Sequence, residues 1–113
     1  MNTQPYFKQL ILEQKQGKPT GICSICSANA YVISAAMEFG RDTGRPVLVE
    51  ATANQVNQFG GYTGMTPERF MAYAGDLAAK AGLNPDQLIL GGDHLGPLTW
   101  TNEPEATAME KAE

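Results

Sequence analysis

Asp93 and His94 are the pair in this sequence best suited to chemistry. They close the run Gln87-Leu88-Ile89-Leu90-Gly91-Gly92, and His94 is the only histidine in the 113 residues. An imidazole can bind a metal or titrate near neutral pH, and a carboxylate beside it can move a proton. A single imidazole does not make a catalytic zinc site, which usually takes about three protein ligands. The plainer reading is a polar strand end whose histidine bonds to backbone. Glu50 ends a second apolar run, Val47-Leu48-Val49. A carboxylate in that position must be solvated, paired or liganded. If the two runs are neighbouring strands, Glu50, Asp93 and His94 make an acid/base or metal-bridging cluster. The spacing leaves their convergence open.

Two further patterns invite chemistry. Cys23-Ser24-Ile25-Cys26 has the C-x-x-C spacing of a redox dithiol and is expected between a strand and a helix. A second C-x-x-C is absent, which excludes a four-thiolate zinc site within the chain. The alternative is two small buried thiols. Gly60-Gly61-Tyr62-Thr63-Gly64 is glycine-rich, but it matches neither G-x-x-x-x-G-K-S/T nor G-x-G-x-x-G. It reads as a shaped loop facing a substrate, with a plain surface loop as the alternative. Beside it, Asn54, Gln55, Asn57 and Gln58 are dense in hydrogen-bonding amides. The candidate substrate contacts are therefore Ser24, Glu50, Asn54, Gln55 and Tyr62. Asp93 is the candidate acid/base and His94 the candidate metal ligand.

These residues need elements to hold them. Leu88-Ile89-Leu90 and Val47-Leu48-Val49 are short apolar runs bounded by turn residues, the pattern of buried strands. Thr20-Gly21-Ile22-Cys23-Ser24 is a weaker strand of small residues. Between the strands lie two helical patterns. Asn29 is placed to cap the first, which buries Val32, Ile33, Ala36, Met37 and Gly40 and stops at Gly44. Thr66-Pro67 opens the second, which buries Phe70, Met71, Ala74, Leu77, Ala78 and Ala81 and stops at Gly82. Tyr6, Phe7, Leu10 and Ile11 share one face of a short N-terminal packing helix ended by Gly17. Pro104 falls in the first turn of a last helix, with Ala106 and Met109 inward.

Composition narrows the function. The net charge is −4 and the eight basic residues are scattered, which argues against nucleic acid and against an anionic membrane surface. No apolar run nears the ~18 residues of a membrane span. The stretch from Met1 to Lys8 lacks the profile of a secretory signal. Two cysteines in that setting suggest a reducing, cytoplasmic location.

The expected order is a helix, then β-α-β-α-β, then the start of a further helix, in one domain over residues 1–113. Alternating strands and helices imply a parallel sheet. Three strands cannot close a barrel, which takes eight strands and about 250 residues. The chain is either the opening of a larger barrel or a small open sheet. A last helix without a stop signal before Glu113 favours the barrel.

Three stretches together resemble a known family: Gly21–Ala28, Glu50–Pro67 and Leu88–Pro97. In this order they look like the accessory subunit of D-tagatose-1,6-bisphosphate aldolase, of the GatZ/KbaZ type. The likeness runs from about residue 17 to the end and rests on three long motifs in register. It implies the N-terminal portion, about three strands, of a TIM (β/α)8 barrel of the class II aldolase type. It implies a cytoplasmic, oligomeric protein of carbohydrate catabolism. That protein supports and stabilises a separate zinc-dependent aldolase subunit, which cleaves the sugar bisphosphate to glycerone phosphate and glyceraldehyde 3-phosphate. Members have also carried an older label as tagatose-6-phosphate kinases, which no motif here supports. By the same likeness Asp93 and His94 match the Asp-His pair of class II aldolases. His94 would then hold Zn2+ together with ligands beyond this chain, and Asp93 would transfer a proton. A metal-dependent aldolase in its own right is the alternative, and a Cys23/Cys26 redox module a third.

Overall fold

The computed structural model describes residues 4–113. The reading of residues 1–3 as part of a non-secretory N-terminus lies outside the described residues. The elements follow the order α1 (Gln4–Lys15), β1 (Ser24–Cys26), α2 (Ala30–Thr43), β2 (Val47–Thr52), α3 (Pro67–Ala81), β3 (Leu88–Asp93) and α4 (Glu105–Ala112). Short 3-10 turns at Pro85–Gln87 and Pro97–Trp100 flank β3. The strands form one parallel sheet in the order β1-β2-β3. Among the described residues no helix is long and apolar enough to cross a membrane.

The helix signals act as their chemistry requires. Asn29 Oδ1 accepts from the N–H groups of Tyr31 at 2.9 Å and Val32 at 3.3 Å, satisfying donors that α2 leaves free. Thr66 Oγ1 accepts from the Arg69 N–H at the start of α3. Gly44 and Gly82 end α2 and α3 with φ of 68° and 71°, a left-handed turn that favours glycine.

The core lies on one side of the sheet. Ile33 and Met37 of α2 and Phe70, Ala74, Leu77 and Ala78 of α3 pack on Val47, Val49, Ala51 and Leu88. Gly40 lets α2 sit close, because a Cβ there would collide with the Val47 side chain. The helical stripes are narrower than the sequence suggests. Val32 and Met71 are 48% and 55% exposed, since each lies about 100° around its helix from the buried Ile33 and Phe70. In α4 it is Ala108 that is buried, whereas Ala106 is exposed and Met109 is 44% exposed. Pro104 caps that helix from outside. In α1, Tyr6, Phe7 and Leu10 are half-buried, but Ile11 is exposed.

The strand boundaries also differ. β1 starts at Ser24 instead of ending there. Continued backwards, its register would set Ile22 opposite Pro46, which has no N–H to give to a ladder. β2 runs two residues beyond Glu50, and β3 runs through both glycines to Asp93. Glu50 therefore stands inside the ladder, whereas Asp93 closes its strand as the last paired residue, and both lie on the face opposite the packed helices.

Candidate functional site

Strand alternation sends residues i and i+2 to the same face. With the observed register, Ser24 and Cys26, then Leu48, Glu50 and Thr52, then Ile89, Gly91 and Asp93 share the face opposite the helices. Ser24 Oγ donates to Glu50 Oε2 at 2.5 Å, which explains how a carboxylate is tolerated in mid-strand. Gly91, the partner of Glu50 in the ladder, leaves the carboxylate its space. A Cβ there would stand 3.2 Å from Glu50 Cγ and 3.4 Å from Oε1.

Cys26 belongs to the same group. Its thiol is pushed above the ordinary value of 9.0, first by partial burial, then by the adjacent Asp93 carboxylate, then by the charge of Glu50. Each of these penalises a thiolate. An active dithiol sets its attacking cysteine at the N-terminus of a helix. Cys26 instead lies within β1, and both cysteines are free and exposed. Neither the dithiol reading nor that of two buried thiols fits this placement.

His94 stands at the rim of the group, beside Asp93. It is the one described non-glycine residue with a left-handed backbone, φ 49°. Its side chain is 75% exposed, and Nε2 lies 3.6 Å from Asp93 Oδ1. Ser24, Glu50 and Asp93 thus share a face, which the spacing alone left open, while His94 stands at its edge.

The donor set does not fit a zinc ion held by this chain alone. Among the described residues no three histidine, cysteine, aspartate or glutamate side chains converge in a metal-holding group. His94 offers one imidazole where about three protein ligands are needed. The face is also one-sided in charge, because the three strands carry no lysine or arginine. A bisphosphate would meet carboxylates there and would need its cations from elsewhere.

The loop after β2 is a folded unit. An isolated parallel bridge joins Val56 to Met65 across its base. Asn57 is 8% exposed; its Nδ2 donates to Ala53 O at 2.7 Å, and its Oδ1 accepts from Phe59 N–H at 2.8 Å and Gly61 N–H at 3.2 Å. Gly61, φ 55°, lies so close to the backbone of residues 54–55 that a Cβ would collide with the Gln55 carbonyl. Gln55 turns inward: its Oε1 accepts from Thr52 N–H at 2.9 Å, and its carbonyl accepts from Thr63 Oγ1 at 2.6 Å. Asn54 and Tyr62 remain exposed. Gln58 Nε2 donates to Lys111 O at 2.7 Å, and Phe59 meets Trp100 edge-on at 6.2 Å, which ties the loop to the C-terminal segment.

Gly91 and Asn57 are not candidate site residues by sequence, and Cys26 enters there only as half of the Cys23/Cys26 pair. Cys26 was findable by simple alternation from Ser24. Gly91 becomes meaningful only once its register with Glu50 is known. Asn57 looks like one amide among several until its burial separates it from them.

Known proteins share this chain's sequence over most of its length. Residues 7–113 match the family profile described as D-tagatose-1,6-bisphosphate aldolase subunit GatZ/KbaZ-like. The GatZ subunits of D-tagatose-1,6-bisphosphate aldolase from Salmonella newport and Salmonella heidelberg are each 53% identical over 106 residues, covering 94% of this chain and 25% of theirs. The chain therefore spans about a quarter of the length of those relatives. A solved structure, that of a probable tagatose 6 phosphate kinase from Sinorhizobium meliloti 1021, aligns with a TM-score of 0.78 at 53% identity. That alignment covers 82% of this chain and 24% of the solved one. The chain belongs to the GatZ/KbaZ-like family of D-tagatose-1,6-bisphosphate aldolase subunits.

Proposed function

We propose that this chain is the opening part of a TIM-barrel subunit that supports a separate, catalytic class II aldolase. The substrate of the pair is D-tagatose 1,6-bisphosphate, and the setting is cytoplasmic sugar catabolism. The reading rests on the family match over residues 7–113 and on the likeness to aldolase subunits. In a barrel the uncovered face would point to the interior, and the ends of β2 and β3 would open at the catalytic rim. The subunit binds its partner and holds it in its active, heat-resistant form. The zinc and the bond-breaking step belong to that partner, so this chain's residues carry no step through a metal. Asn54 and Tyr62, both exposed in the loop after β2, are the proposed contacts to the sugar.

The test adds the full-length protein to a purified catalytic subunit. Co-elution and a longer half-life of activity on heating are expected. Equal activity and equal heat resistance without it would end the reading.

A second reading, a lyase in its own right, draws on the shared face of Ser24, Glu50 and Asp93, with Asp93 as acid/base. It requires stoichiometric metal in the full-length protein that is lost in His94→Ala. It ranks second because the relatives are described as a subunit of the aldolase.

A further inference from the structure

We infer that Asn57 is a positioning residue. It holds the loop after β2 in a preformed shape that presents Asn54 and Tyr62, and not Gln55, to the hydroxyl-bearing part of the sugar. The inference rests on the proposed role in tagatose bisphosphate metabolism. Asn57 is the one polar residue among those buried in the described chain. Its amide bonds three backbone groups, Ala53 O, Phe59 N–H and Gly61 N–H, within a loop that lacks regular structure of its own. A loop of this length would otherwise sample many shapes.

The lock has a second half. Gly61 is pressed on the backbone of residues 54–55, and the Tyr62 N–H donates to Asn54 O at 2.9 Å. Residues 54 and 62 are thereby joined backbone to backbone. Gln55, one residue along, has its side-chain carbonyl engaged with Thr52 N–H, which leaves it less free for a ligand. An amide and a phenol are both neutral hydrogen-bonding groups, suited to hydroxyl or carbonyl oxygens. Holding them before the ligand arrives avoids an ordering cost on binding.

The experiment uses the full-length protein and two readouts. Amide hydrogen exchange at Phe59, Gly61 and Tyr62 reports the lock. Calorimetric titration with D-tagatose 1,6-bisphosphate reports the presentation. In Asn57→Ala, exchange at Phe59 and Gly61 is expected to quicken at least about tenfold and the affinity for the sugar to fall about tenfold, as one lost hydrogen-bonding side chain would give. In Asn57→Asp, which keeps both acceptor bonds but loses the donor to Ala53 O, the protection of Phe59 and Gly61 is expected to return only in part; Asn57→Ser serves if Asn57→Ala does not fold, with the same direction of change. Asn54→Ala and Tyr62→Phe should weaken binding while leaving exchange unchanged, and Gln55→Ala should weaken it less than either.

Loop amides that exchange as fast in the wild type as in Asn57→Ala would overturn the positioning role. A locked loop with no sugar binding, or with binding indifferent to residues 54 and 62, would overturn the presentation. Neither result bears on whether the subunit engages a catalytic aldolase. That question is decided by co-elution, and its failure would leave the exchange comparison intact.

Discussion

The two faces of the sheet are built on opposite principles. The helix-covered face is apolar and closed: Val49 is 0% exposed, and Val47, Ala51 and Leu88 are buried with it. The other face carries Ser24, Cys26, Glu50 and Asp93 beside a single buried Ile89, and Glu50 is held there by a short hydrogen bond and the space above a glycine. One face stabilises the fold through burial, and the other is free to carry polar groups that a packed core would reject.

That contrast predicts a graded series of effects in the full-length protein, measured by chemical denaturation. Ile33→Ala or Leu88→Ala should be the most costly, about 2–5 kcal/mol, because each leaves a cavity among close-packed neighbours. Gly61→Ala should cost about 1–3 kcal/mol, since its left-handed backbone and the Gln55 carbonyl both resist a side chain. Asn29→Ala should cost about 1 kcal/mol through loss of the α2 cap. Ser24→Ala, which removes the donor that holds the Glu50 carboxylate, should cost about 1 kcal/mol, still below the core truncations. A loss there as large as in the core would erase the distinction between the faces.

The smallest effect is chemical. The Cys26 thiol titrates above its usual value of 9.0, so the folded chain favours its neutral form. That contribution to stability is intact below about pH 9 and fades as the pH rises through the raised value. In a Cys23→Ser background, alkylation of Cys26 near pH 8 should be slower than that of a free peptide thiol. Asp93→Asn or Glu50→Gln should quicken it. Rates unmoved by either substitution would separate Cys26 from the acids.

The covered face was the more legible of the two from sequence. Helix caps at Asn29 and Thr66, stops at Gly44 and Gly82, and the apolar runs at residues 47–49 and 88–90 each carry a local physical signal. The uncovered face carries little such signal. Glu50 looked like a strand end because acids rarely sit in strands, yet its tolerance depends on Ser24, 26 residues away. Gly91 and Gly92 looked like a terminus, yet both are paired with β2. The start of β1 depends on Pro46, a neighbour only in the folded sheet. His94 was expected beside Asp93 on the shared face, but its left-handed backbone sets it at the edge.

If the subunit supports an aldolase without performing the chemistry, its carboxylates are dispensable for cleavage. The most direct measurement is the turnover of D-tagatose 1,6-bisphosphate by the catalytic subunit paired with full-length wild-type protein or with Asp93→Asn. Turnover within about twofold of wild type is the predicted result, since a proton-transfer residue would contribute about 10²–10⁴. A fall of about a hundredfold, with the two subunits still co-eluting, would contradict the supporting role and make Asp93 a catalytic residue.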